Sequence, residues 1–350
     1  MALVREITLR NFRNFEEKTI TFDSSDVIFT GKNGVGKSNL LEAIGFLSTL
    51  RSFRRSPVKD MITIGKESFT LSADVEHRSR VINLAVAEHL AGTRQLFINN
   101  APCRSAGDFL FDYRCVCFSP GDFAIGSGSS GVRRRFLDQL ISANDRNYLA
   151  FLSQYVRALT QRNRAAKAKN EAAMRAFEVI MAENAPAIIM ARKDTVAQLE
   201  MQIRSLLGGK YDFAIRYKPD FDGSTDDFFK RFNYMRKREL QRGCTLTGIQ
   251  LDEIELYLNG KSLRTFGSTG QIRMVTLLMR LAEYTLLRRT PAPVVVLADD
   301  VTGELDDANR ELFFRTISTA DMRFHTYAVL PTAENFNNAQ FIKLQSVIDL

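Results

Sequence analysis

Eight consecutive residues, Gly31-Lys32-Asn33-Gly34-Val35-Gly36-Lys37-Ser38, combine three glycines with a closing lysine and hydroxyl. Without a Cβ at Gly31, Gly34 and Gly36 the backbone can curl and turn its N–H groups toward one point, which suits a polyphosphate. A Lys37 ammonium would reach the β- and γ-phosphates of ATP, and the Ser38 hydroxyl is a ligand for Mg2+. This chemistry requires a loop that leaves a strand and enters a helix, because the helix N-terminus adds its own positive potential. The flanks meet that demand. Val27, Ile28, Phe29 and Thr30 form an apolar run suited to a buried parallel strand, and Leu40, Leu41, Ile44 and Leu47 then recur at helical spacing. The whole loop from Gly31 to Ser38 is therefore the candidate ATP site, with Lys37 also a catalytic candidate and Ser38 a metal candidate.

A second constellation is Val294-Val295-Val296-Leu297-Ala298-Asp299-Asp300, an apolar run ending in two carboxylates. Beside a phosphate loop, such a strand places Asp299 to hold Mg2+ and Asp300 to polarise the attacking water as the catalytic carboxylate. The two motifs lie about 260 residues apart, whereas a compact domain has about 100–150 residues in total. A large insertion must separate them. Near its end, Phe266-Gly267-Ser268-Thr269-Gly270-Gln271 precedes Met274, Leu277, Leu278 and Leu281 at helical spacing. Ser-x-Gly-Gln at a helix start resembles the signature motif of ABC-type ATPases. In that superfamily the signature caps the γ-phosphate held by another subunit, which implies an ATP-dependent homodimer with Ser268, Gly270 and Gln271 in nucleotide contact. Gly303-Glu304-Leu305-Asp306 likewise resembles the loop that crosses such an interface.

Bulk properties are those of a globular chain: 350 residues, 45% hydrophobic and 25% charged. Charges at Arg5 and Glu6 stand where a signal peptide needs an apolar core, and no run approaches the length of a membrane span, so a cytoplasmic protein without membrane attachment is expected. The four cysteines lack paired zinc spacing, and Cys115 and Cys117 alternate as same-face residues of a strand. His77, His89 and His325 are scattered and form no triad pattern. The net charge is +8, and residues 131–170 hold nine Lys/Arg against Asp138 and Asp145. Arg133, Arg134, Arg135, Arg157, Arg164 and Lys167 from this stretch are candidate DNA contacts. A second knot, Lys230, Arg231, Arg236, Lys237, Arg238 and Arg242, interleaves Phe228, Phe229, Phe232 and Tyr234, which suits phosphate neutralisation with base stacking.

Along the chain, Leu3 to Leu9 alternates as a strand, answered by Ile20-Thr21-Phe22 across Asn11-Phe12-Arg13-Asn14. Strand-like runs follow at residues 69–75, 81–86, 95–98 and 115–118, predicting a β-meander joined to the nucleotide fold. Gly126-Ser127-Gly128-Ser129-Ser130-Gly131 predicts a loop and domain boundary. Helical character begins at Val132. Phe151, Leu152, Tyr155, Val156 and Leu159 define one apolar stripe, and a long helix is predicted from about Glu171 to Leu207, interrupted at Pro186. The fold class that results is α/β: an ABC-type P-loop ATPase head with a β-rich N-terminal part and an inserted helical lobe. Its ATPase lobe spans residues 1–120 and 290–350, and the helical lobe spans 121–289 and carries the basic patches and the signature.

Taken together, these motifs resemble the RecF family of bacterial recombination mediators, relatives of SMC ATPase heads. The residues that carry the resemblance run in family order: Leu9-Arg10-Asn11-Phe12-Arg13-Asn14-Phe15, the loop to Ser38 with Asn39-Leu40-Leu41-Glu42-Ala43, Arg51-Ser52-Phe53-Arg54, Phe118-Ser119-Pro120, Arg133-Arg134-Arg135-Phe136-Leu137-Asp138, Gly267 to Gln271, and Asp299 to Asp306. The resemblance implies ATP-dependent dimerisation on DNA with slow hydrolysis, acting as a switch. It also implies cooperation with RecO and RecR in loading recombinase at single-stranded gaps, and roles in replication and SOS induction. Three stretches depart from the family pattern. Gly248-Ile249-Gln250-Leu251-Asp252-Glu253 stands where Gly-Pro-His-Arg-Asp-Asp is usual, Tyr327 to Thr332 replaces a polar switch after the last strand, and Gly121 replaces an acidic residue. Two other classes share the ATPase motifs. A transporter ATPase subunit would need a membrane partner, and a nucleotide-locked DNA clamp would bind without turnover.

Overall fold

A computed structural model describes residues 3–77, 80–111, 114–301, 303, 305–327, 336 and 338–345. The chain divides into two compact units, Met1–Asp122 with Glu283–Leu350, and Phe123–Ala282, against expected cuts after residues 120 and 289.

In the first unit the N-terminal alternation becomes the strand Val4–Phe12, which buries Val4, Ile7, Leu9 and Phe12. It turns at Arg13-Asn14 and returns as Phe15–Thr21, with Phe12 opposite Phe15. Its other edge pairs with Ser68–His77, and the sheet continues through Arg80–His89, Arg94–Ile98 and Ala101–Pro102 to six antiparallel strands. The run at 115–118, predicted to extend this meander, belongs elsewhere. As Arg114–Phe118 it is the edge of a parallel sheet, beside Val294–Asp299. Val116, Cys117 and Phe118 are all buried, a continuous apolar run of the kind a sheet covered on both faces requires.

The parallel sheet has the order Gln340–Lys343, Asp26–Thr30, Met322–Tyr327, Val294–Asp299, Arg114–Phe118. Met322–Tyr327 thus separates the strand feeding the phosphate loop from the strand bearing the carboxylates. Phe324 on that middle strand stacks on Phe29 with centroids 5.9 Å apart, and Phe22 meets both rings edge-on. Cys117 joins this unit's core, and burial pushes the Cys115 thiol up to about 12, which keeps it protonated. His325 is 1% exposed, and burial pushes its imidazole down to about 3, which keeps it neutral.

The second unit is built on the helices Ser130–Asn144, Arg146–Lys167, Glu171–Leu207 and Thr225–Arg242, with a three-stranded antiparallel sheet of Lys261–Ser262, Glu253–Leu258 and Phe213–Lys218 that the sequence reading missed. The predicted long helix has the expected ends and closes at Gly208 in the left-handed region, with φ of 58°. It is not interrupted at Pro186. Ala182, Ala185, Ile188 and Ile189 are buried on both sides of the proline, and this packing carries the helix past one missing hydrogen bond.

The glycine-rich stretch is also not a linker. Residues Phe123–Ser127 are helical, and the next helix starts at Ser130. A Cβ on Gly126 would lie 2.9 Å from Ile272 Cγ2 and Thr276 Oγ1, so this glycine serves close helix packing. The predicted stripe on Arg146–Lys167 is rotated. Phe151 and Val156 are exposed, while Tyr148, Tyr155, Ala158, Arg162, Ala165 and Ala166 face inward.

Candidate functional site

The phosphate loop leaves Thr30 and enters the helix Lys37–Thr49, whose Leu40, Leu41, Ile44 and Leu47 are buried. Gly31, Gly34 and Gly36 have φ of 145°, 86° and 103°, values that strain any residue with a Cβ. At Gly31 a Cβ would also lie 2.6 Å from the Leu344 carbonyl oxygen, and at Gly36 it would meet the Asn14 side chain at 2.7 Å. Asn14 donates to the Val35 carbonyl at 3.3 Å and accepts from Asn39 Nδ2 at 2.8 Å, so it buttresses the loop from the N-terminal hairpin. Its neighbour Arg13 donates twice to the wholly buried Glu42 at 2.8 and 2.9 Å. Glu42 also accepts from Ser52 Oγ. The stretches 9–15, 39–43 and 51–54 thus form one support behind the loop.

Inside the loop, Lys37 Nζ donates to the carbonyls of Gly31 at 2.6 Å and Lys32 at 3.0 Å. Burial lowers its pKa, opposed by the fields of Asp300 and Asp299. The helix it opens has no side-chain N-cap and no acidic residue in its first turn, which leaves the first N–H groups for an anion. Ser38 Oγ donates to Asp299 Oδ1 at 2.7 Å across 261 positions of sequence. Thr326, from the intervening strand, donates to the same oxygen at 2.9 Å and accepts from the Asp300 backbone N–H at 3.0 Å. Sequence reasoning did not single out Thr326. The one available signal was that a parallel sheet needs a strand beside Val294–Asp299, and Met322–Tyr327 is the next β-branched and aromatic run. Asp300 is exposed with φ of 53°, which lifts its carboxylate out of the strand end.

A hydroxyl and a carboxylate oxygen at hydrogen-bond distance are hard donors of the kind Mg2+ takes, together with water and phosphate oxygens. With the uncapped helix start and the Cβ-free loop, these residues fit ATP with Mg2+.

In the other unit, Ser268 and Gly270 are exposed at the start of the helix Thr269–Leu287. Gln271 Oε1 accepts from Ser268 N at 2.9 Å, and Ser268 Oγ accepts from Gln271 N at 3.2 Å. This reciprocal cap holds the helix start open to solvent. Asp306 caps the helix Asp307–Ile317 by accepting from Asn309 N at 2.8 Å. Glu304 of the expected interface loop, and 328–332 of the departing switch stretch, lie outside the described residues.

The expected DNA contacts divide. Arg135, Arg157, Arg164 and Lys167 are exposed. Arg133 is not: it is 3% exposed and donates to the carbonyls of Ile254, Ile125 and Gly128, so it ties helix to sheet rather than protein to DNA. Arg134 is half-buried and donates to the Asp252 carbonyl. In the second knot, Arg236 is bound to Glu178 at 2.5 Å, and Phe228 and Phe232 are core residues. The departing stretch 248–253 also has a structural role. Asp252 accepts from Arg192 at 2.7 Å, from Asp220 N at 3.0 Å and from the Tyr217 hydroxyl.

The two-motif parallel sheet with its inserted unit defines an ABC-type P-loop ATPase head. A family model described as RecF/RecN/SMC N terminal domain matches residues 3–107. Over 345 residues the chain is 31% identical to the DNA replication and repair protein RecF of Leptospira interrogans serogroup Icterohaemorrhagiae serovar copenhageni (strain Fiocruz L1-130), covering 95% of this chain and 93% of that one. The chain belongs to the RecF family of DNA replication and repair proteins. Among solved structures, the recombination mediator protein RecF with ATP, of the RecFOR pathway, matches with a TM-score of 0.88 at 27% identity over 95% of this chain and 93% of that chain. The Smc head domain of Pyrococcus furiosus, bound to the C-terminal domain of ScpA, shares the fold, with a TM-score of 0.53 at 16% identity over 99% and 94%. Among the described residues no helix is long and apolar enough to cross a membrane.

Proposed function

We propose that this chain is a cytoplasmic, ATP-dependent DNA-binding protein of recombinational repair, working with RecO and RecR-type partners at single-stranded gaps and linked through that role to replication and SOS induction. The observation that carries the reading is the convergence of the Ser38 and Thr326 hydroxyls on one carboxylate oxygen of Asp299, whose field reaches the Lys37 ammonium. ATP supplies the phosphates and Mg2+ their charge neutralisation. The loop N–H groups and Lys37 would bind the β- and γ-phosphates, Ser38 and Asp299 would hold the metal, and Thr326 fixes Asp299. Asp300, exposed at the strand end, would orient a water and take its proton as the water oxygen bonds the γ-phosphorus and the bond to the departing ADP breaks. A RecF structure with ATP at 27% identity supports the nucleotide.

Ser268, Gly270 and Gln271 then meet the γ-phosphate of a second copy. The exposure of this helix start supports that role, since a helix N-terminus favours an anion. Light scattering with and without ATP tests it. The parent should double in mass with ATP, and Ser268→Arg should stay monomeric while binding ATP as the parent does. An ATP-dependent dimer in the variant would remove the signature from the interface.

A further inference from the structure

The unit Phe123–Ala282 holds 26 Lys/Arg against 16 Asp/Glu, an excess of 26 − 16 = +10, and the other unit holds 22 against 24. Some of these cations are internal and neutralised by carboxylates. Arg162, fully buried, binds Glu178 and Glu239, and Arg236 binds Glu178. Five other cations behave differently. Arg164 and Lys167 near the end of Arg146–Lys167, and Lys237, Arg238 and Arg242 near the end of Thr225–Arg242, are exposed. Among the described residues none of the five pairs with a carboxylate.

In sequence these groups are two separate patches. The structure joins the two helix ends. Arg162 bonds Glu239 at 2.5 Å, Asn163 Oδ1 accepts from the backbone N–H of Thr245 at 2.8 Å, and Leu240 packs on the Ala165–Ala166–Met174 cluster. A methyl on Gly243, next to Arg242, would touch Lys167 Cγ at 3.4 Å. The result is one basic shelf fixed from beneath by buried ion pairs. Tyr234 stands on the same helix, one turn before Arg238 and turned away from Phe228, Phe232 and Met235, with 79% of its surface exposed.

We propose that this shelf binds single-stranded nucleic acid, with the cations along the phosphates and a base stacked on Tyr234. Duplex bases have no free face to offer the ring, and an acidic peptide would use the cations but gain nothing from the ring. The inference rests on the nucleic-acid reading above but needs neither ATP nor a dimer, since every residue of the shelf lies within one unit.

The test uses the full chain without nucleotide and a fluorescent oligothymidylate of about 20 nucleotides, a length above one stacking site, with anisotropy read at several salt concentrations. Tyr234→Ala should bind about tenfold more weakly with an unchanged salt slope, and Tyr234→Phe should bind as the parent does. Arg164→Gln, Lys167→Gln, Arg238→Gln and Arg242→Gln together should lower the log–log salt slope by about 0.7 per cation removed. Parental melting temperatures would show that the variants fold. Parental affinity in Tyr234→Ala overturns the proposal. So does polyglutamate displacing the probe as well as unlabelled oligothymidylate, which would mark the shelf as a protein-docking surface. The Lys37→Met background separates the two readings: shelf binding retained there while ATP binding is lost supports the shelf, and shelf variants that lose the oligonucleotide still bind ATP.

Discussion

In the nucleotide-site unit the buried cation Lys37 rests on two loop carbonyls and in the field of Asp299 and Asp300, with no direct carboxylate partner among the described residues. In the helical unit, Arg162 and Arg192 each grip two carboxylates, and all of these groups are buried or nearly so. The difference separates a charge held ready for a ligand from a charge consumed by the fold. A cation whose hydrogen bonds go to weak, replaceable acceptors can be handed to a phosphate. A guanidinium inside a buried ion cluster cannot leave without stranding two carboxylates.

The largest effect that would break this contrast is on stability. Arg162→Met leaves Glu239 and part of Glu178 without their cation, and we expect a loss of about 3–5 kcal/mol in urea unfolding. Lys37→Met, which frees only two loop carbonyls, should cost about 1 kcal/mol. Equal unfolding midpoints for the two variants would erase the distinction. Next in size is turnover: Asp300→Asn should slow phosphate release about a hundredfold while ATP stays bound, as expected when a positioned acid–base group is removed. Parental turnover would place the catalytic carboxylate elsewhere. The smallest effect sharpens the site itself. Thr326→Val removes one hydroxyl bond to Asp299 and one from Asp300 N, at about 1 kcal/mol. A Mg2+ titration of the ATP complex should shift several-fold to higher metal, and an unshifted curve would make Thr326 a packing residue only.

The site was more legible in the sequence than the helical unit was, for a physical reason. A phosphate loop is a local backbone device, so Gly31 to Ser38 announce it within eight residues, and a parallel strand ending in acids is local as well. Thr326 escaped notice because its role depends on which strand lies between Asp26–Thr30 and Val294–Asp299, a fact of sheet order. In the helical unit, composition misled. Arg133 and Arg236 sit in basic runs that read as surface patches, yet carbonyls and Glu178 hold them inside. Whether a helical arginine faces solvent depends on partners dozens of residues away. The small sheet was missed for a similar reason, since Phe213–Lys218 and Glu253–Leu258 are short and pair across the helix Thr225–Arg242 that separates them in sequence. Gly126 read as part of a boundary loop because its packing partners, Ile272 and Thr276, are far along the chain.

The central claim is that Lys37, Ser38 and Asp299 form a site for ATP with Mg2+. Equilibrium titration of ATP into parent and Lys37→Met, each with and without Mg2+, tests it most directly. The parent should bind with an affinity that falls when Mg2+ is withdrawn, and Lys37→Met should bind at least tenfold more weakly under both conditions, as losing a charged hydrogen-bond donor of about 1.5–3 kcal/mol requires. Parental affinity in Lys37→Met with its fold intact would contradict the account.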